Sequence, residues 1–236
     1  MIKIAVGIGE NKNIIKACKH YKHDNVCIEY IYNDKDLVNA ILDKNINAVI
    51  RGSLPASDVM KQLKTKFPKI TRATYVNGNG IEFLLTPVGI DEGQNIKSKY
   101  ETIINCCEFL KKQGTTPKIA IMASGRKGDY GRNSEISQSI DESEKLTSLI
   151  KETTNYKIKN YYILIEQAIK DKYNIIIAPN GIIGNIIFRT LVLINKWSSY
   201  GAITFGLEQI YIDTSRDQSI EGYERSLKLA YKLVNI

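Results

Sequence analysis

Short apolar runs alternate along the chain with longer stretches in which apolar residues recur at helical spacing. Runs such as IKIAVGI and NIIIAP are typical of buried strands, whereas DKDLVNAILDK has the periodicity of an amphipathic helix. Apolar strands that alternate with helices are typical of a parallel sheet covered on both faces. The pattern therefore predicts an α/β fold with mostly parallel strands.

The first half of the chain begins with three strands that are each followed by a helix. Two further strand-like runs flank Asn77-Gly-Asn-Gly, a turn sequence that predicts a hairpin at the edge of the first sheet. A long helix over about 96–113 then ends at Gly114, since glycine commonly follows the last turn of a helix.

The second half restarts the alternation with the strand KIAIMAS and a long helix over 134–152. We expect a helix over about 162–172, the strand NIIIAP and a glycine-rich turn, NGIIGN. The segment IIFRTLVLINKW is apolar on all sides, which predicts a helix buried in a core or in a subunit interface. Two more strands and a helix over about 219–235 complete the chain.

These elements group into two α/β lobes. We place the first domain at residues 1–95, with the C-terminal helix 215–236 returning to it, and the second at 96–214. A single larger sheet is the alternative arrangement.

Charge and composition narrow the class of protein. The 236 residues carry a formal net charge of +8, but 26 of the 33 basic residues are lysines, and they are scattered rather than grouped with aromatic residues. We therefore expect no nucleic-acid partner. No apolar run is long enough to span a bilayer and no secretory signal begins the chain, so we expect a cytoplasmic protein without a membrane partner.

Cysteines and histidines do not indicate a metal site. The four cysteines form neither a CxxC pair nor a disulfide framework. His20 and His23 have a spacing that suits two metal ligands, but no further ligand lies nearby, and a solvated helix end is the alternative. We expect no metal.

Ligands of open α/β sheets gather where strands end. After the third strand, Arg51-Gly-Ser53 opens a helix, and these side chains with the helix amides would hold an anion. A structural ion pair of Arg51, with Ser57 or Asp58 as a helix cap, is the alternative.

A second loop follows the strand KIAIMAS. Ser124, Arg126, Lys127 and Arg132 crowd one short glycine-rich turn, a composition suited to phosphate oxygens. It lacks the P-loop spacing, and a mobile solvated loop is the alternative.

Two later loops complete the set. Asn180, Gly184 and Asn185 lie around the turn that starts the apolar helix. Thr214, Ser215 and Arg216 follow the last strand as a second anion clamp, for which a capping cluster is the alternative.

Taken together, these loops resemble the phosphate acetyltransferase/phosphate butyryltransferase superfamily along almost the whole chain. AVIRGSLPASDVMKQL is similar to its strand-loop-helix segment, and Thr86-Pro with the helix carrying Lys99 to its middle. APNGIIGNIIFRTLVL is similar to its Pro-Asp-x-x-x-Gly-Asn motif, and TFGLEQIYIDTSRD to its Gly-Leu and Ser-Arg motif. The combination GRKGDYGRN, APNGIIGN and IDTSRD resembles the archaeal methanogenesis-marker group MtxX, which is described as a methyltransferase subunit.

The resemblance implies two α/β domains with an interdomain cleft, a fold also like isocitrate and isopropylmalate dehydrogenases. It further implies a homodimer built on the helix after the Gly-Asn motif. In the acyltransferases the cleft binds phosphate and coenzyme A (CoA). Carried over by position, Ser215 and Arg216 hold the phosphate as the catalytic pair, with Asn180 and Asn185 on the cleft wall.

Two departures from the acyltransferases affect the expected chemistry. The acid of the Pro-Asp motif is Asn180 here, and the position of the acyltransferases' catalytic Asp is Gly222, with Glu221 beside it. A glycine-rich site for S-adenosylmethionine is also not indicated, because Gly7-Ile-Gly-Glu has no third glycine.

The sequence thus predicts a transferase of the MtxX kind in methanogen one-carbon metabolism that binds a phosphorylated or anionic ligand. Its cofactor is unassigned, with CoA and a methyl carrier as candidates, and a methyltransferase subunit is the candidate partner. A phosphate acyltransferase and a non-catalytic ligand-binding or regulatory subunit are the alternatives.

Overall fold

The chain divides into two compact units in the computed structural model, which describes residues 1–235. The first unit combines Met1–Ile70 with the segment from Ser199 onward, and the second unit is Thr71–Ser198. These boundaries differ from the predicted ones near 95 and 214. The β hairpin expected in the first lobe pairs with the second unit's sheet, and the last two strands pair with the first unit's sheet.

The first unit has five strands in the order β2-β1-β3-β10-β9, parallel except that β9 runs antiparallel to β10. Helix α8 packs against α1 and β3. The elements are β1 (Ile2–Gly7), α1 (Asn13–His20), β2 (Val26–Ile31), α2 (Asp34–Leu42), β3 (Ala48–Ile50), α3 (Ala56–Lys66), β9 (Ser198–Phe205), β10 (Ile210–Asp213) and α8 (Ile220–Val234).

The second unit has five strands in the order β4-β5-β8-β6-β7, of which only the β4-β5 pair is antiparallel. The β4-β5 turn follows the predicted hairpin, with Asn79 and Gly80 at positive φ. The elements are β4 (Thr71–Gly78), β5 (Ile81–Thr86), α4 (Ile96–Lys112), β6 (Lys118–Met122), α5 (Ser134–Thr153), β7 (Lys157–Tyr162), α6 (Ile165–Lys170), β8 (Ile175–Ile177) and α7 (Gly181–Phe188), which continues as a π-helical segment, Arg189–Ile194.

Each unit has its own apolar core. In the first, residues of β1, β3, α2 and α3 surround the fully buried Tyr211 of β10. In the second, Val76, Phe83 and Ile176 contribute to a core against which Trp197 packs. The mostly parallel α/β fold predicted from the alternation of apolar and amphipathic segments is therefore confirmed.

Two local predictions were wrong. Strand β7 (Lys157–Tyr162) was missed because its sequence, KIKNYY, has one aliphatic residue and so lacks the apolar run of a buried strand. Such a polar sequence suits its place as the last strand in the order. The expected glycine turn after Asn180 is the first turn of α7, whose Gly181 and Gly184 lie against the carbonyls of Gly89 and Pro87. These glycines permit close packing rather than a turn.

Within the described residues, no helix is long and apolar enough to cross a membrane. The apolar helix expected to be buried exposes much of its surface in this chain: Ile182, Ile186 and Ile194 are 58%, 59% and 71% exposed.

Candidate functional site

Three parallel strands of the first unit end side by side. Because β1, β3 and β10 run in the same direction, the loops after them meet at one edge of the sheet. The loop backbones touch: a side chain on Gly7 would overlap the Arg51 carbonyl, and one on Gly52 the Gly7 carbonyl. Gly52 also has a φ of +62°, which favours glycine. The edge is thus held together by main-chain contact.

Arg51 is locked into this edge. Its guanidinium is buried and donates to the Asp213 carboxylate and to the carbonyls of Leu54 and Thr214. This is the ion pair that the sequence left as the alternative to anion binding. Because three acceptors already surround the guanidinium, Arg51 joins two strand-end loops, and its contact with a ligand stays a prediction.

Ser53 and Thr214 also tie the loops together. Ser53 is fully buried, and its hydroxyl accepts the Gly9 N–H at 2.8 Å. Thr214 donates its hydroxyl to the Gly52 carbonyl at 2.7 Å. Both side chains lie at the edge where β1, β3 and β10 end, as predicted. The hydrogen bonds found for them join the loops of this edge to one another.

Ser215 and Arg216 are the exposed part of the same edge. Ser215 is half-buried and Arg216 is exposed, and within residues 1–235 the Arg216 guanidinium has no ion pair or hydrogen bond. The Tyr223 hydroxyl donates to the carbonyl of Arg216 at 2.7 Å and to that of Ser215 at 3.3 Å. Burial raises the pKa of Tyr223 to about 12, so its hydroxyl stays a donor at neutral pH. The backbone of this pair is therefore held by hydrogen bonds, whereas the Arg216 side chain is bonded to no described residue.

Gln218 and Gly222 lie beside this pair. Asn11 donates its side-chain N–H groups to the carbonyls of Arg216 and Gln218. The Gln218 Nε2 atom is buried and has no hydrogen-bond partner in the described chain. A side chain on Gly222 would overlap the Gln218 carboxamide. A neutral amide therefore lies against Gly222, the position to which the sequence resemblance assigned the catalytic acid of the acyltransferases.

In the second unit, the loop after β6 carries two free cations. The side chains of Arg126 and Lys127 are exposed, and neither has an ion pair or hydrogen bond within the described residues. Arg132 differs, since its Nε lies 3.2 Å from Asp129 Oδ1. The loop is a short 3₁₀ turn in which the Asp129 carboxylate accepts the Arg126 N–H at 2.8 Å. The Ser124 N–H donates to Ser139 Oγ at 2.9 Å.

The loop after β8 starts α7. Asn180 caps this helix by accepting the Ile183 N–H at 2.9 Å, and Asn185 donates to the Val88 carbonyl at 3.1 Å. Gly184 is buried against Pro87. Asn180, to which the sequence resemblance assigned the acid of the Pro-Asp motif, thus has a capping role that Asn and Asp both perform.

Sequence reasoning missed the ion pair that Lys99 and Glu142 form beside the loop after β8. Lys99 of α4 is buried, forms an ion pair with Glu142 of α5 at 3.1 Å and donates to the Pro179 carbonyl. It therefore fixes the residue before the Asn180 cap. A lysine on the apolar face of a predicted helix was the available signal, since lysine is almost never fully buried unless paired.

No three His, Cys, Asp or Glu side chains of the described residues come together in a way that suits a metal ion.

The α/β fold is similar to the fold of solved phosphotransacylases. The chain matches a branched-chain phosphotransacylase from Enterococcus faecalis with a TM-score of 0.78 at 18% identity, covering 99% of both chains. A phosphotransacetylase from Streptococcus pyogenes matches with a TM-score of 0.67 at 14% identity, covering 100% of this chain and 94% of the other. At these identities the likeness shows the fold alone.

The sequence relatives place the chain more closely. It is 40% identical to an uncharacterized methyltransferase of Methanocaldococcus jannaschii, over 97% of this chain and 96% of the relative. It is 37% identical to the provisionally named methyltransferase mtx subunit X of Methanosarcina barkeri, over 78% of this chain and 68% of the relative. The chain therefore belongs to the MtxX family of methyltransferase-named proteins. The sequence matches no family model.

Proposed function

We propose that this protein is a transferase of the MtxX kind that binds a phosphorylated or otherwise anionic ligand at the edge formed by β1, β3 and β10. The observation that carries the proposal is the contrast between two arginines of this edge. Arg51 is buried against Asp213, whereas Arg216 is exposed, follows Ser215 directly and has no partner within residues 1–235. An arginine fork beside a hydroxyl on a fixed backbone suits phosphate or carboxylate oxygens.

Two groups near Arg216 are hydrogen-bond donors of the kind that an anion accepts. The first is the Ser215 hydroxyl. The buried Gln218 Nε2 is a donor that has no acceptor in the described chain, and a buried donor without an acceptor is costly. In this proposal Ser215 and Arg216 contact the ligand, while Arg51, Ser53 and Thr214 hold the loops that present them.

The second unit contributes an anion subsite of its own in this proposal. Arg126 and Lys127 contact negative oxygens, and Ser124, Asn180, Gly184 and Asn185 shape the neighbouring strand ends.

Methyl transfer in methanogen one-carbon metabolism is the reaction we assign, on the strength of the family names. The methyl carrier is then an anionic cofactor bound at the edge formed by β1, β3 and β10, and a second methyltransferase subunit is the expected partner. Phosphate acyl transfer is the second candidate, favoured by the fold. The Gly222 position weighs against it, since a glycine supplies no carboxylate there.

A homodimer completes the proposal. Ile182 and Ile186 lie four residues apart on α7, so they share one helix face, and both are more than half exposed. An exposed apolar face of this kind favours association. An Ile186→Lys substitution should then prevent association, so that light scattering gives the molar mass of a monomer.

Calorimetric titration tests the assignment. Purified protein is titrated with inorganic phosphate, acetyl phosphate, CoA, S-adenosylmethionine and a methanopterin derivative. Binding of the methanopterin derivative in competition with phosphate supports a methyl carrier. Tight CoA binding with turnover of acetyl phosphate would instead establish the acyltransferase. If no anion binds or raises the melting temperature, the anion site does not exist.

A further inference from the structure

Strand β2 ends the strand order of the first unit. All six of its residues pair with β1 in an unbroken parallel register, from Ile2 opposite Val26 to Gly7 opposite Ile31. No strand among the described residues pairs with its other edge. The N–H and C=O groups along that edge can therefore pair with an added strand.

Apart from one charged side chain, this edge lacks the features that normally protect a terminal strand. The sequence VCIEYI contains no proline and no lysine, and its register shows no bulge. Its one charged residue is Glu29. Tyr30 of the strand is 38% exposed, and Tyr32, which lies just beyond the strand, is 65% exposed. An extended, partly apolar edge of this kind is open to strand addition.

A groove of about 360 Å³ runs between this strand and α2. Three carboxylates line it, those of Glu29, Asp36 and Asp43, together with Asn33 and Asn39, and none of its lining residues is basic. Asp36 accepts a hydrogen bond from Asn33 at 2.7 Å, and Asp43 accepts the N–H of Asn45 at 2.9 Å. None of the three carboxylates forms an ion pair within the part of the chain that the structure describes.

The groove is acidic on a chain whose net charge is +8. We propose that β2 is a docking edge for an extended basic segment of a partner protein, which adds beside β2 and places alternate Lys or Arg side chains in the groove. Successive side chains of a strand point to opposite faces, so every second residue of the added segment faces the carboxylates. Main-chain pairing then supplies affinity and the carboxylates supply selectivity.

A second copy of this chain is a poorer occupant. Pairing of β2 with another β2 would bring two copies of Glu29 and two acidic grooves together, and like charges across a strand pair are destabilising. The proposed occupant is therefore a basic segment of a different protein, and its binding to β2 does not depend on the transferase assignment.

The test uses the full chain and two model peptides. Fluorescently labelled, end-capped (Val-Lys)4 is the probe, and (Val-Glu)4 is its acidic counterpart. Binding is followed by fluorescence anisotropy, and amide hydrogen exchange is followed at residues 26–31. We expect (Val-Lys)4 to bind and to slow exchange in β2, and (Val-Glu)4 to do neither.

Charge-reversed variants separate this site from general attraction. Glu29→Lys combined with Asp43→Lys, both at exposed positions, should weaken (Val-Lys)4 binding about tenfold. Glu152→Lys combined with Glu166→Lys makes the same change in net charge on exposed positions of the second unit and should leave binding intact. Circular dichroism melts check that both variants fold.

Three outcomes would overturn the proposal. The first is an equal loss of binding in both double variants. The second is peptide binding without slowed exchange in β2. The third is slowed exchange in β2 that depends on protein concentration without peptide, which would make a second copy the occupant.

Discussion

The Gln218 carboxamide fills the space that a side chain on Gly222 would need. Gly222 lies in the first turn of α8, where its N–H donates to the capping hydroxyl of Ser219 at 3.2 Å. Gln218 precedes that cap and lies two residues after Arg216. The glycine at this position therefore determines where an amide beside the proposed ligand-binding arginine can lie.

The Gly222 contact predicts a strong coupling between two substitutions. Gly222→Ala should cost about 1 kcal/mol of unfolding free energy, because its methyl group displaces the Gln218 side chain. In a Gln218→Ala background the same change should be neutral or stabilise by up to about 1 kcal/mol, since alanine is the better helix former. Urea denaturation of the four proteins measures the coupling. Equal effects in both backgrounds would contradict the contact.

The buried ion pair predicts different costs for two arginines. Arg51→Met removes the guanidinium that pairs with the buried Asp213 carboxylate and should cost about 3–5 kcal/mol. Arg216→Met, at an exposed position, should change the unfolding free energy by no more than about 0.5 kcal/mol. Urea denaturation compares them. Similar costs for both would mean that the Arg51–Asp213 pair does not hold the loops.

Local sequence identified the strand-end loops but not the role of each side chain within them. Arg51 and Arg216 both follow strands and look equivalent. Their difference depends on Asp213, which lies 162 residues from Arg51 in the chain and meets it only because β3 and β10 are neighbours. A contact of this separation leaves no local pattern.

The same limit explains other differences between expectation and structure. The elements with strong periodicity, such as α4 and α8, were predicted closely. The role of Gly181 depends on the Gly89 carbonyl, and the role of Lys99 on Glu142 and Pro179, which are distant in sequence. Close packing and burial of charge are tertiary effects. They therefore override local sequence patterns, from which a glycine predicts a turn and a lysine predicts an exposed side chain.

Lys99 predicts a local effect on the start of α7. Lys99→Met keeps the length of the side chain but leaves the Pro179 carbonyl without its donor, which should cost about 1–3 kcal/mol. Hydrogen exchange should accelerate at residues 178–184. Lys97→Met, at an exposed position of the same helix, is the matched control and should change neither quantity. Unchanged exchange in both would argue against the role of Lys99.

Burial of three cysteines predicts selective alkylation. Burial raises the pKa of Cys18 and of Cys107 to about 12, and it also raises the pKa of Cys106, so these thiols stay protonated at pH 8. Iodoacetamide should therefore label the exposed Cys27 alone, as mass spectrometry can show. A Cys27→Ser variant should take up no label until urea is added. Labelling of that variant in its native state would contradict the burial.

The same pKa shifts predict how stability depends on pH. In the unfolded chain the thiols ionise near their ordinary pKa of 9.0, whereas the folded forms of Cys18 and Cys107 hold their protons until about pH 12. Between these values the folded state binds more protons, so the unfolding free energy should fall as the pH rises. Below pH 9 these cysteines should contribute no pH dependence. A Cys18→Ala variant should show a shallower decline in urea denaturation at pH 9–11.

Arg216 predicts a loss of anion binding without a loss of stability. Arg216→Ala should weaken binding of phosphate or a phosphorylated ligand by about 1–3 kcal/mol, because it removes charge-assisted hydrogen bonds from an exposed position. Arg189→Ala, also exposed and in the π-helical segment, is the matched control for net charge. Isothermal titration of the wild type and both variants at one salt concentration compares the affinities. If the two variants lose the same affinity, the attraction comes from overall charge, and Ser215 and Arg216 are not the ligand-binding pair.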